Sequence, residues 1–185
     1  LNEIKTLLET NLIVVVDETY FEFSNFSYSN LIEDYENLII LRSFSKWAGL
    51  AGLRIGYAIS NSKLIEKILL VKQPYNINSA AEHVAIKAMK NKDDLLQKVR
   101  ILIEQKDNIY NFLSKFDSVT PYPSSANFIL CDFLKIDAND VFEKLAKNGI
   151  FVRKFSDKSI MNSLRISAGT PDQTRKLLRV LETII

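Results

Sequence analysis

Two kinds of apolar pattern alternate along the chain. Short β-branched runs bounded by polar residues read as strands, and longer stretches with an apolar residue every three or four positions read as helices. "LIVVVDE" (12–18) predicts a buried parallel strand with Asp17 at its carboxyl end. "NLIILRSF" (37–44) predicts a second buried strand and "RIGYAIS" (54–60) a third. "FSNFSYSN" (23–30), polar and aromatic, reads as loop. "NSKLIEKILLVK" (61–72) has helical spacing behind an Asn or Ser cap, and "QPYNIN" (73–78) breaks it. "SAAEHVAIKAMK" (79–90) is a further helix, with Ser79 and Glu82 at capping-box spacing. Strands alternating with helices predict an α/β sheet.

After residue 90 the pattern lengthens. Leu95, Val99, Leu102, Ile109, Leu113 and Phe116 form one helical stripe. About 24 residues of helix reach on the order of 36 Å, enough to join two domains. From 117 the segments shorten again: a Pro-rich turn and strand in "VTPYPSSANFILCDF", then a helix over 137–150 with Asp137 near its cap and Gly149 past its end. "FVRKF" and "SLRISAG" read as short strands, and 170–185 as a closing helix with Pro171 in its first turn. The expected organisation is the C-terminal part of a larger α/β domain (1–91), a long interdomain helix (92–116) and a small α+β domain (117–185). The chain opens on what reads as the end of a helix, so an N-terminal part of a longer protein is expected to precede it.

Composition changes this picture little. In 185 residues, 47% are apolar and 25% charged, with a net charge of +2 spread along the chain. That is an ordinary globular balance and gives no argument for nucleic acid. No run of roughly 18 apolar residues predicts a membrane span. The single cysteine, Cys131, excludes an internal disulfide, fits a reducing cytoplasm, and lies in a strand where a packed thiol is expected.

One segment does change it. "LRSFSKWAGLAGLRIGY" (41–57) sets Lys46 and Arg54 among two serines, three glycines and apolar residues. An amine partly desolvated beside a guanidinium has its ammonium form disfavoured, and a neutral amine condenses with aldehydes. Ser43, Ser45 and Arg54 are the donors a phosphate takes. A solvated loop lysine is the bland alternative, but it leaves the rest of the string unexplained.

This segment resembles the lysine segment of the fold type I aminotransferases, which depend on pyridoxal 5'-phosphate (PLP). "VVVDETYFEF" upstream resembles the same family's strand end, and "QPYNIN", "FVRK" and "LRISAGTP" resemble its histidinol-phosphate aminotransferase branch, in the same order. The resemblance implies part of the family's large domain, a mostly parallel sheet with helices, plus its small C-terminal domain. Lys46 would bond the cofactor's aldehyde and later move a proton between the substrate Cα and the cofactor. Asp17 would pair with the pyridine nitrogen, Tyr20 would donate to the ring's phenolic oxygen, and Ser43, Ser45 and Arg54 would hold the phosphate. Family parts not found in this sequence include the first phosphate-binding helix start, a ring-stacking aromatic and a tyrosine lent by a partner subunit. A homodimer is therefore expected of the full-length protein.

Arg153 and Arg165 each lie in a short strand between apolar neighbours. A planar anion is one reading and an outward-facing strand arginine the other. By resemblance, Arg165 would grip an α-carboxylate, Arg153 a substrate phosphate or a side-chain carboxylate, and Asn127 would lie near the substrate. Tyr75 and Asn76 read as turn residues, His83 as helix surface or packing, and Trp47 as packing. The leading function is amino transfer between histidinol phosphate and 2-oxoglutarate. The alternatives are threonine-phosphate decarboxylase, an aminotransferase for aromatic or acidic amino acids, and an inactive PLP-fold binding domain.

Overall fold

Residues 2–185, described by a computed structural model, fall into two units, 2–96 and Gln97–Ile185. In the first, α1 (Asn2–Leu8) leads into β1 (Val14–Asp17). β1 pairs in parallel with β2 (Leu38–Ser43), Val14 opposite Leu38 and Asp17 opposite Leu41. A parallel pair needs a crossover, and here it contains α2 (Phe21–Ser24) and a 3-10 turn at Ser29–Leu31. The Asn37 amide fixes the entry to β2 by donating to the carbonyls of Leu8 and Leu12, at 3.0 and 2.8 Å. The lysine segment returns the chain to β3 (Gly56–Ser60), which joins β2 antiparallel, with Ser43 opposite Gly56. The order is β1-β2-β3.

Leu8, Leu31, Leu38 and Ile40 form the core of this unit, with Val14, Val16 and Tyr35 against it. β2 is buried over Leu38–Ile40, as its pattern predicts. β1 is not buried on both faces, contrary to the expectation for 12–18. Successive strand side chains point to opposite sides, so Val14 and Val16 turn to the core while Ile13 and Val15 remain 59% and 54% exposed.

α3 (Ser62–Val71) is capped by Asn61, whose side chain accepts from the Lys63 N–H. α4 (Ser79–Lys90) begins one residue earlier in its capping than the Ser79–Glu82 spacing predicts: Asn78 accepts from the Ala81 N–H at 2.8 Å. Asn78 is extended and its short amide reaches back into the first turn, while Ser79 is already helical. α5 (Lys92–Leu113) starts in the first unit and runs into the second. Of its predicted stripe, Val99, Ile109 and Leu113 are buried.

The second unit has an antiparallel sheet ordered β4 (Val119–Pro121), β5 (Phe128–Phe133), β7 (Ser163–Ser167), β6 (Arg153–Lys154). Ile129, Cys131, Phe133, Leu164 and Ile166 alternate inward and pack with Ile109, Leu113, Val141, Leu145, Leu177 and Leu181 from the helices. Each such side chain stabilises the fold by about 1.5–3 kcal/mol. α6 (Ala138–Lys147) is capped by Asp137, and Gly149 beyond it takes the left-handed φ of 70° that a glycine adopts without strain. α7 (Pro171–Glu182) opens with a Thr170–Gln173 capping box. The other face of the sheet carries Leu130 opposite Arg165. Among the described residues no helix is long and apolar enough to cross a membrane.

Candidate active site

The parallel register puts Asp17 and Ser43 at the carboxyl ends of β1 and β2, the end at which open α/β sheets bind ligands. Asp17 is solvent-exposed, and one carboxylate oxygen accepts both the Thr19 N–H (2.9 Å) and the Thr19 hydroxyl. Its second oxygen stays available for another donor among the described residues. Tyr20 follows at the start of α2, its ring edge-on to Phe23 and with the Lys46 Nζ 5.5 Å from its centroid. Among the described residues no carboxylate pairs with the half-buried Lys46.

β3 runs antiparallel to β2, so its amino end lies at this same edge. The segment between them closes on itself: the Phe44 N–H bonds the Ile55 carbonyl at 3.3 Å, and the Leu50 N–H bonds the Phe44 carbonyl at 3.1 Å. Ser45 and Arg54 stand one residue outside the Phe44–Ile55 pair, at the same end of the sheet as Ser43. Arg54 is exposed and adopts a left-handed φ of 53°, and its guanidinium donates to the Ala51 carbonyl at 3.0 Å. The Ser43 hydroxyl accepts the Ser45 N–H at 3.0 Å, leaving its own proton to donate. Two hydroxyls and an exposed guanidinium that has no carboxylate partner among the described residues make a donor set for a phosphate ester. A nearby amine can take an aldehyde, and an exposed acid at the strand end can hold a protonated ring nitrogen. These residues fit PLP.

In the second unit the strand register sets Arg153 directly opposite Arg165. Like charges in that position repel, so the pair is stable only in water or around an anion. The Arg165 guanidinium lies over the Phe128 ring, 5.0 Å from its centroid, and its Nε is buried with no hydrogen-bond partner among the described residues. Arg153 is exposed. Asn127 is half-buried, its carbonyl accepting the Ala168 N–H at 2.9 Å.

The model of the aminotransferase class I and II family matches residues 1–181. The chain belongs to that family. Its members are PLP-dependent. A histidinol-phosphate aminotransferase from Dehalococcoides mccartyi is 40% identical over 179 residues, covering 97% of this chain and 50% of the relative. The chain thus spans about half the length of the curated relatives it matches. The crystal structure of the histidinol-phosphate aminotransferase from Clostridium acetobutylicum superposes with a TM-score of 0.86 at 25% identity, over 99% of this chain and 57% of that one. That from Sinorhizobium meliloti, solved in complex with PLP, gives a TM-score of 0.77 at 24% identity, over 94% and 50%. The mixed α/β architecture of the chain is that of a fragment of the family's fold type I.

Outside the cluster, the remaining residues singled out from the sequence sit quietly. Trp47 is buried against Phe44, 5.5 Å between centroids. His83 is exposed on α4, Tyr75 is 97% exposed, and the Asn76 amide accepts from Lys72. Cys131 is wholly buried, and burial pushes its thiol up to about 12, where it is inert. The sequence reading missed Thr19, which orients the Asp17 carboxylate, and the buried Glu18–Arg42 pair behind the site. A charged residue inside the apolar run "LIILRS" was the available signal, since such a group needs a partner.

Proposed function

We propose that this chain carries the lysine half of the active site and the substrate-gripping small domain of a PLP-dependent aminotransferase, transferring the amino group of histidinol phosphate to 2-oxoglutarate. The observation that carries this reading is the convergence of Lys46, Tyr20, Ser43, Ser45 and Arg54 with Asp17 at one end of the sheet. When bound, PLP supplies an electron sink for labile bonds at the substrate's α-carbon. Ser43, Ser45 and Arg54 would hold its phosphate, and the Asp17 carboxylate would keep the ring nitrogen protonated. The Tyr20 hydroxyl would donate to the phenolic oxygen. The Lys46 Nζ would anchor the aldehyde and then shuttle a proton to and from the substrate Cα.

In the second unit, the unpartnered Arg165 Nε supports binding of a substrate carboxylate, with Arg153 taking a second anion and Asn127 nearby. We read α5 as the connection between the cofactor-bearing part and the substrate-gripping part. The names of the 40%-identical relatives support histidinol phosphate as the amino donor. A homodimeric parent protein working in the cytoplasm completes the reading.

The test is Lys46→Ala in the whole protein. The visible absorbance of lysine-bound PLP should vanish, and the proton-transfer role alone predicts a loss of on the order of 10²–10⁴-fold in amino transfer from histidinol phosphate. An unchanged spectrum rejects the assignment. Carbon dioxide release from threonine phosphate, in place of amino transfer, would redirect it to a decarboxylase.

A further inference from the structure

β1 has an ambiguity built into its sequence. Ile13, Val14, Val15 and Val16 are all apolar and β-branched, so neither face is marked as the inward one. A slip of one residue against β2 would exchange the faces, turning Asp17 toward the core and Glu18 toward the site. Hydrophobic patterning does little to forbid that slip here.

A polar network does. The carboxylate of Glu18, 8% exposed, accepts the Ser27 hydroxyl (3.0 and 2.8 Å), the Tyr28 N–H (2.8 Å), and the Nε and Nη2 of Arg42 (3.1 and 3.0 Å). Arg42 Nη2 also donates to Ser27 Oγ at 2.9 Å, and its guanidinium lies 3.5 Å from the Phe21 ring centroid. The network thereby joins the end of β1, the start of α2, the 27–28 turn and β2. Strand alternation sends Glu18 and Arg42 to the face opposite Asp17 and Ser43, their immediate chain neighbours. Tyr20 lies between Glu18 and Phe21, two points the network fixes. A buried ion pair adds little stability over apolar residues of the same size, and its best-attested use is to select one register.

We propose that the Glu18–Arg42 pair is the register key of the cofactor site: it locks β1 against β2 so that Asp17, Tyr20 and Ser43 converge, and PLP affinity depends on it although neither side chain faces the site. The inference rests on the reading of those three residues as PLP contacts. Both members are positioning residues.

The experiment replaces the pair with apolar residues of similar size, Glu18→Leu with Arg42→Met, in the whole protein, and measures melting temperature and PLP dissociation constant. The fold should hold within about 4 °C, because the apolar pair fills the same space. PLP should bind about tenfold more weakly, the scale on which lost supporting contacts loosen a bound group. A purely structural pair would leave affinity within about twofold wherever the fold holds, and that result overturns the proposal. Should the double variant fail to fold, Ser27→Ala trims the network while keeping both charges. It should weaken PLP binding about threefold at an unchanged melting temperature, and unchanged affinity overturns the proposal. Lys46→Ala run alongside separates the two readings, since an unaltered PLP spectrum there would sink the site assignment itself.

Discussion

The two units solve the burial problem differently. In the second, the inward residues of β5 and β7 meet α5, α6 and α7, so Ile129, Leu145 and Leu164 are wholly out of water. In the first, one face of β1 stays open, and Leu70, Val71 and Tyr75 around the end of α3 are 85%, 83% and 97% exposed. The first unit thus leaves large apolar side chains in water that the second unit's core would enclose. The candidate cofactor residues belong to the unit with the unsatisfied surface, and the better-closed core belongs to the unit with Arg153 and Arg165. The better-closed core and the proposed cofactor contacts thus lie in separate parts of the chain.

The sharpest test of that contrast pairs Leu145→Ala with Leu70→Ser. Truncating the buried leucine should cost about 2–5 kcal/mol in denaturant unfolding. The exposed one should change stability by less than about 0.5 kcal/mol. Equal losses would erase the distinction between the units. A smaller effect is expected within the first unit's sheet at Gly56, where a Cβ would stand 2.7 Å from the Arg42 carbonyl oxygen. Gly56→Ala should destabilise by about 1–3 kcal/mol, because the strand cannot move aside without disturbing β2. A neutral outcome would mean that the sheet of the first unit yields where the second unit's would not.

The smallest effect is in pH dependence. Burial raises the Glu22 carboxyl above its ordinary 4.5, with Arg42 opposing and Glu18 reinforcing the shift. The folded chain thus holds this proton more tightly than the unfolded one. Its contribution is fully present below pH 4.5 and is lost as pH rises through the raised value. Glu22→Gln should flatten that part of the stability profile in melts across pH 4–7, and an unchanged slope would remove Glu22 from the account.

Local signals were legible and long-range pairings were not. The order of strands and helices, the Asp137 cap, Pro171 and the lysine segment all follow from spacing and side-chain chemistry within a few residues. The cap of α4 was misread by one residue because Asn78 and Ser79 are both good capping residues and only backbone conformation separates them. The direction of β3 was hidden, since a short apolar run reads alike in either orientation. The open face of β1 was hidden too: apolar residues show that a surface can be covered, and say nothing of whether it is. Of the residues proposed for the site, Asp17, Ser43, Lys46 and Arg54 are conspicuous in the sequence because they lie at strand ends or in the loop between strands. Glu18 and Arg42 were not, because their partnership spans 24 residues and exists only in the folded register. The facing of Arg153 and Arg165 was likewise invisible until β6 and β7 were paired.

That facing makes the outer margin of the second sheet self-repelling. β6 has two residues, so few ladder bonds resist the tendency of its guanidinium to swing away into solvent. A doubly charged guest seated between the two arginines would turn repulsion into a clamp, and its arrival and the ordering of that margin would become one event. Occupancy would then be readable as slowed amide exchange at residues 153–154, without any chemistry taking place.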